Sequence, residues 1–432
     1  MTKIDKKIGE NMHKFAKELF GITRSITGDG VRETLSRINK RVPVQIHEVP
    51  SGTKVFDWTI PDEWNIKDAW VKDSRGRKVI DFRKNNLHVV SYSVPIHKKI
   101  SAKEFNKHLF SLADQPDRIP YRTSYYEKNW GFSIAHKERM KLKDRRYKVM
   151  IDSTLKSGHL TYGEYFKKGE TTDEILISAH LCHPSLANDN LSGVTLATFL
   201  AKLLSKTQTH YSYRFLFIPG TIGSITWLAR NESRVEKIKH GLVLSGVGDS
   251  GDITYKKSRM GNAEIDRAAE HVLRQSGKPY KMIDFYPFGY DERQYCSPHF
   301  NLPIGTLMRS KHGEYPEYHT SADKLSFIKP DSLSDSFSKC VRILDLLEKN
   351  RTYLNLYPKG EPQLGRHGLY KAMAQQAAQR ALEQMCILWV LNLSDGKHSL
   401  LDIAQRAGLK FDLVAESAKK LFEHRLLKEK KS

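Results

Sequence analysis

Cysteine is scarce in this chain. The four residues, Cys182, Cys296, Cys340 and Cys386, lie far apart with no CxxC pair, which argues against a zinc ribbon and a dense disulfide framework and suits a reducing compartment. Long apolar runs are also missing: none approaches the roughly 18 residues that a membrane-spanning helix needs. The start, MTKIDKKIGENMHK, has no apolar h-region, so a cytoplasmic address without a membrane partner is expected. Acidic residues are in deficit, 49 Asp and Glu against 71 Lys and Arg, for a net charge of +22. That balance admits nucleic acid or an acidic substrate as a partner. The densest basic run, HKERMKLKDRRYK from His136 to Lys148, reads as a solvated loop or helix face.

What is present is enough to fold. Hydrophobic residues make up 39% of 432, with 19 Tyr and 18 Phe spread along the chain, so two to four domains with sizeable cores are expected. Ile8, Met12, Phe15, Ala16, Leu19 and Phe20 recur at helical spacing, and a second helix is predicted around Val31 to Ile38. From Val42 to Ser93 the texture becomes short, alternating and β-branched, with turn clusters PSG and DSRGR, the pattern of a small β-rich module. From about Tyr147 the runs YKVMIDS, EILISAH, RFLFIP, HGLVLSG and PIGTLM alternate with helical stretches. This predicts an α/β domain, a mixed sheet between helices, with ligands gathering at the C-terminal ends of its strands. Beyond the linker LYPKGEPQLG, the pattern of helix, turn at Gly408, helix and basic tail outlines a helix-turn-helix or winged-helix unit, mostly helical. The expected domains are 1–45 with 120–350, an insert over 46–119, and 351–432.

The stretch HLCHPSLANDNLSG, His180 to Gly193, joins the end of an apolar strand to the start of a helix. It offers His180, His183 and Asp189, although a carboxylate before a helix also serves as an ordinary N-cap. Downstream, EYPEYHTSADKL brings His319, with Glu314, Glu317 and Asp323 around it. Imidazoles and carboxylates fixed on rigid elements are what a hydrolytic zinc site needs, together with a base for its water.

These segments resemble the zinc aminopeptidases, the co-catalytic zinc exopeptidases that include bacterial leucyl aminopeptidases. HLCHPSLANDNLSGV is similar to that family's first metal segment, H-x-D followed by N-D-(D/N)-x-S-G. PEYHTSADKL is similar to its closing P-x-Y-H-T-x-x-D, and FGYDERQYCSPHFNLPIGTLMRS to the stretch between. With the β-rich insert and the C-terminal unit, the chain resembles more closely a bacterial aminopeptidase-like family whose members often sit near surface-polysaccharide genes. The resemblance implies a zinc-exopeptidase-like fold with zinc as cofactor. His180 and Asp189 would hold one metal, with Asp189 bridging if two are bound, His319 the other, and His183 would be an extra ligand.

The chain departs from the family where the chemistry matters. The aspartate of H-x-D is Cys182, the Glu-Glu pair after RFLFIP is replaced by Gly220 and Thr221, and the next strand ends in Ser245 and Gly246, with Asp249 three residues on. A relocated base would come from Asp291 or Glu292, or from Glu314 or Glu317 beside His319, although each of these carboxylates reads by itself as surface charge near a loop. The expected activity is a metal-dependent, aminopeptidase-like hydrolysis of a small amide or aminoacyl substrate in surface-polysaccharide metabolism. The alternative is a metal- or ligand-binding protein without turnover, because Gly220 stands where the base belongs. The expected partner is a small molecule or a short peptide, and a homo-oligomer stays open. Nucleic acid or protein binding through the winged helix ranks last, since residues 351–432 carry 14 Lys and Arg against 8 Asp and Glu, no denser than the rest.

Overall fold

The computed structural model describes residues 5–369 and 377–430. The parts of the expected domains that fall on 1–4, 370–376 and 431–432 lie outside the described residues. The chain divides into two compact units, Met1–Asp266 with Pro279–Ser338, and Arg267–Lys278 with Lys339–Ser432.

The first unit is built on an eight-stranded mixed sheet. Across it the strands run Gln45–Pro50, His159–Lys167, Ser212–Ile218, Glu174–His180, Ile238–Leu244, Ile304–Met308, Ile253–Lys256 and Tyr280–Ile283. The central four, from Ser212–Ile218 to Ile304–Met308, are parallel, and the flanking pairings are antiparallel except the last. Glu174–His180 and Ser212–Ile218 are buried at every position, as their continuous apolar runs require of strands covered on both faces. Helix Ile8–Phe20 buries Met12, Phe15, Ala16 and Leu19 on one stripe and packs on helix Gly193–Leu204, which lies over Glu174–His180.

The two ends of the central strands differ in kind. At the N-terminal end, the guanidinium of Arg214 donates to both oxygens of Glu174 at 2.7 Å and also pairs with Glu164. Glu164 accepts a further bond from Trp227 Nε1 at 2.9 Å. This buried triad is satisfied on every side, the condition under which interior charge is tolerated. At the C-terminal end lie the loops described below.

The small β-rich module reaches further than 46–119. Its antiparallel sheet runs Lys78–Asp81, Glu63–Lys72, Arg146–Lys156, Ile96–Ser101, so the run YKVMIDS, expected in the α/β sheet, is its central strand. Its burial alternates, with Tyr147, Val149 and Ile151 inward and their neighbours outward, which is the pattern of a sheet with one wet face. Gln45–Pro50, by contrast, pairs with His159–Lys167 in the large sheet.

The second unit contains helices Ala377–Leu393, Leu400–Ala407 and Phe411–Glu423, the last two separated by Gly408 in the left-handed conformation at φ 67°. A capping box between Ser399 and Asp402 starts the second helix. The unit also holds a three-stranded sheet, Asp395–Ser399, Thr352–Asn355, Leu427–Glu429, where a mostly helical pattern is read from the sequence. Residues 267–278 and 339–350, expected in the α/β domain, group with this unit. Among the described residues, no helix is long and apolar enough to cross a membrane.

Candidate metal centre

Parallel strands aim their C-terminal ends at one edge, and four loops meet there. His180 is the last residue of its strand, and the chain then runs through His183 and Asp189 into helix Gly193–Leu204. Asp189 is the hub. Its Oδ1 lies 2.8 Å from His180 Nε2, and its Oδ2 lies 2.9 Å from His319 Nε2 and accepts a bond from the Tyr290 hydroxyl at 2.7 Å. The His183 ring stands edge-on to that of His180 at 5.0 Å, and His319 is 5.2 Å away on the other side. One donor atom each from His180, His183 and Asp189 falls within 4.8 Å of the others. His180 and Asp189 are fully buried, whereas the His319 side chain is 32% exposed, so the centre opens to solvent along His319.

The electrostatics suit a cation. Burial alone disfavours a charged Asp189, but the imidazoles of His183, His180 and His319 outweigh it and hold the carboxyl well below its ordinary range. Burial keeps His183 neutral by pulling its imidazole far down. A buried carboxylate facing three imidazoles, with one side open, is a donor set that suits a divalent ion bound through nitrogen and oxygen.

A second set of groups holds the first in place. Asp323 accepts the backbone N–H of Asn188 at 2.6 Å and of Asp189 at 2.9 Å, which fixes the loop that presents the hub. Arg24, from the segment after the first helix, is fully buried and donates from Nε to the carbonyl of His183 at 2.9 Å. Cys182 stands where the H-x-D pattern has its aspartate: its sulfur lies 3.9 Å from His183 Nδ1 and accepts the N–H of Gly220 at 3.2 Å. Burial pushes this thiol up to about 12, so it works as a neutral group.

The residues singled out in the sequence separate into two groups. His180, His183, Asp189 and His319 come together. Asp291 lies beside the departed Glu-Glu position: its Oδ1 accepts from Thr221 N at 2.8 Å and Ser224 Oγ at 2.9 Å, and its buried Oδ2 has no partner among the described residues. Burial raises its carboxyl above the usual range, against the pull of His180. Thr221, β-branched and held at φ 65°, turns the chain sharply over this carboxylate. Glu292 is placed differently from expectation. It forms a buried ion pair with Lys256 at 2.9 Å and accepts Tyr290 N at 3.0 Å, so its charge is already used to position Tyr290. Glu314 pairs with Lys311, Glu317 with Arg118, and Asp249 is occupied by Asn188 and Ser310. Gly220, Thr221, Ser245 and Gly246 supply no side-chain ligand of the kind a second metal draws on.

Sequence reasoning missed the tyrosines. Tyr290 stacks on His180 at 4.0 Å, and its hydroxyl reaches Tyr318 at 2.8 Å and His319 at 3.2 Å as well as Asp189. A Cβ on Gly220 would meet Tyr290 Cδ1 at 3.6 Å, so the ring borders the space that a side chain at 220 would enter. Tyr121 stands edge-on to both His183 and His319 at 5.2 Å. The one available signal was position, Tyr290 directly before Asp291 and Tyr318 directly before His319.

Known proteins resemble this chain in sequence and in fold. A Clostridium acetobutylicum protein, provisionally named a polysaccharide biosynthesis protein with an aminopeptidase-like domain, is 53% identical over 97% of this chain and 96% of its own length. The crystal structure of a provisionally named peptidase from Clostridium acetobutylicum matches with a TM-score of 0.92 at 52% identity, over 98% of this chain and 96% of that one. BSAP, a zinc aminopeptidase from Bacillus subtilis, matches with a TM-score of 0.58 at 12% identity over 79% of this chain and 94% of its own, a likeness of fold. Residues 351–429 match a winged helix-turn-helix family. Residues 13–350 match the family described as a domain of unknown function, DUF4910, and the chain belongs to that family.

Proposed function

We propose that this chain is a single-zinc, aminopeptidase-like hydrolase that cleaves an amide on a small, saccharide-linked substrate in polysaccharide metabolism. The observation that carries the reading is the hub carboxylate of Asp189, buried between His180 and His319 with His183 alongside. His180, His183, Asp189 and His319 would hold the ion. Zinc, when bound, supplies Lewis acidity toward a carbonyl and a water acidified to near neutrality. The remaining tasks fall to this chain's own residues. Asp291 offers Oδ2 as a buried, unpartnered proton acceptor beside the 220–221 turn, where the family carries its base. Tyr290, a neutral phenol because burial and Asp189 push its hydroxyl well above the ordinary range, donates its one proton to Asp189 Oδ2, and the same oxygen lies 3.2 Å from His319 Nε2. The rings of Tyr121, Tyr290 and Tyr318 wall the centre and limit water to its open edge.

The test is elemental analysis of protein purified without added metal or chelator, paired with hydrolysis of aminoacyl amides and acylamino sugars. About one zinc per chain in the wild type, lost in His180→Ala, is the expected result. Metal-free wild type would sink the reading. A second reading, metal binding without turnover, is favoured by one observation: Gly220 and Thr221 place no carboxylate on the loop that normally bears the base. Bound zinc with no hydrolysis across the panel would select it.

A further inference from the structure

Few large aromatics of the first unit are left in solvent, and three of them cluster. Phe56, Trp58 and Tyr126 are 50%, 43% and 48% exposed. Trp58 belongs to the hairpin of Lys54–Val55 and Trp58–Thr59, whose turn carries Phe56 and Asp57, and Tyr126 to the loop after Tyr125. The Trp58 and Tyr126 rings sit 5.4 Å apart at 59°, an open angle between two aromatic faces, and Phe56 leans on Phe300 at 5.8 Å.

Two independent observations mark this patch as built for contact. Phe56 and Tyr126 are held at φ 56° and 68°, a conformation that bulky residues rarely adopt and that persists where the direction of the side chain matters. The patch is also continuous with the metal centre: Tyr125, next to Tyr126, bonds hydroxyl to hydroxyl with Tyr121 at 2.9 Å, and Tyr121 stands against His183 and His319. The patch is therefore one residue along the chain from a tyrosine pair that ends on the imidazoles of the centre.

We propose that Trp58 and Tyr126 form a stacking platform for a pyranose ring of the substrate whose amide is held at the metal centre. A pyranose has apolar C–H faces and a hydroxyl rim. An exposed aromatic face meets the former while water and polar groups such as Asp57 meet the latter. A peptide side chain would instead favour a closed apolar pocket, which the open ring pair does not make. The inference rests on the saccharide-linked substrate proposed above, and it assigns the small β-rich module's hairpin a recognition role.

The experiment reads binding without catalysis. Full-length protein, stripped of metal by a chelator, is examined by saturation-transfer NMR with free glucose, galactose, N-acetylglucosamine, glucuronic acid and leucinamide. Transfer to ring C–H protons of at least one sugar is expected from the wild type. Trp58→Ala and Tyr126→Ala should weaken it by about tenfold, and Trp58→Phe should restore most of it. Unchanged thermal midpoints confirm that the exposed substitutions leave the fold in place. Absence of transfer to every sugar, equal transfer in the alanine variants, or transfer to leucinamide alone would overturn the platform. Failure of the hydrolase reading shows separately, as sugar binding retained in a protein that turns over no amide.

Discussion

Replacing Asp291 with Asn separates catalysis from stability more sharply than any other single change at the centre. Asn keeps an oxygen for the N–H of Thr221 and the hydroxyl of Ser224, and it puts a neutral NH₂ where Oδ2 lies without a partner. Removing a general base costs about 10² to 10⁴ in rate, or roughly 3 to 5.5 kcal/mol of barrier. Stability should move the other way. Burial raises the carboxyl in the folded state, so the fold prefers the protonated form. The stabilisation is complete below the ordinary carboxyl range near about pH 3.9 and is lost as pH rises through the raised value, at about 1.4 kcal/mol for each unit of displacement. Metal-free Asp291→Asn should therefore match or exceed the metal-free wild type at pH 7, and this relative gain should shrink on acidification. The assay is turnover with zinc loaded, then urea unfolding of chelated protein at pH 7 and pH 4. Full turnover in the variant would place the base elsewhere. A large loss of stability at both pH values would show that the charged carboxylate supports the fold and would refute the argument from burial.

Other substitutions probe separate parts of the framework. Arg214→Ala strands the buried carboxylates of Glu164 and Glu174, and should cost about 3 to 5 kcal/mol in chemical denaturation while leaving zinc content per folded chain unchanged. Tyr290→Phe keeps the ring stacked on His180 but removes a bond to a charged acceptor worth about 1.5 to 3 kcal/mol, so stability in chemical denaturation should fall by about that amount and zinc-loaded turnover by about 10- to 100-fold. Zinc at a hundredfold excess over its dissociation constant should stabilise the wild type by about 2.7 kcal/mol, an increment absent in His180→Ala.

The large sheet was legible because EILISAH and RFLFI are short, mostly apolar runs without alternation, consistent with strands covered on both faces. YKVMIDS was misplaced because its position in the chain order was read ahead of its alternating apolar residues, the signal of one-sided burial. Strands as short and polar as Asp395–Ser399 carry no periodicity, so the sheet of the second unit left no trace. In the site, His180, Asp189 and His319 could be read from motifs with fixed spacing. Tyr290 could not, since one tyrosine among 19 acquires meaning only when the fold lays its ring on His180. Adjacency also misled: Glu292 neighbours Asp291, yet Lys256, 36 positions earlier, decides what its charge does.

The bond from Arg24 to the His183 carbonyl and the approach of His319 to Asp189 tie nearly the whole first unit to one point. Synthesis on the ribosome delivers these parts in order, Arg24 first and His319 last, with the buried carboxylate in between. The hub is thus made long before the imidazole that completes it, and no early fragment of the nascent chain owns a finished site. A complete set of four donors does not exist until His319 has left the ribosome.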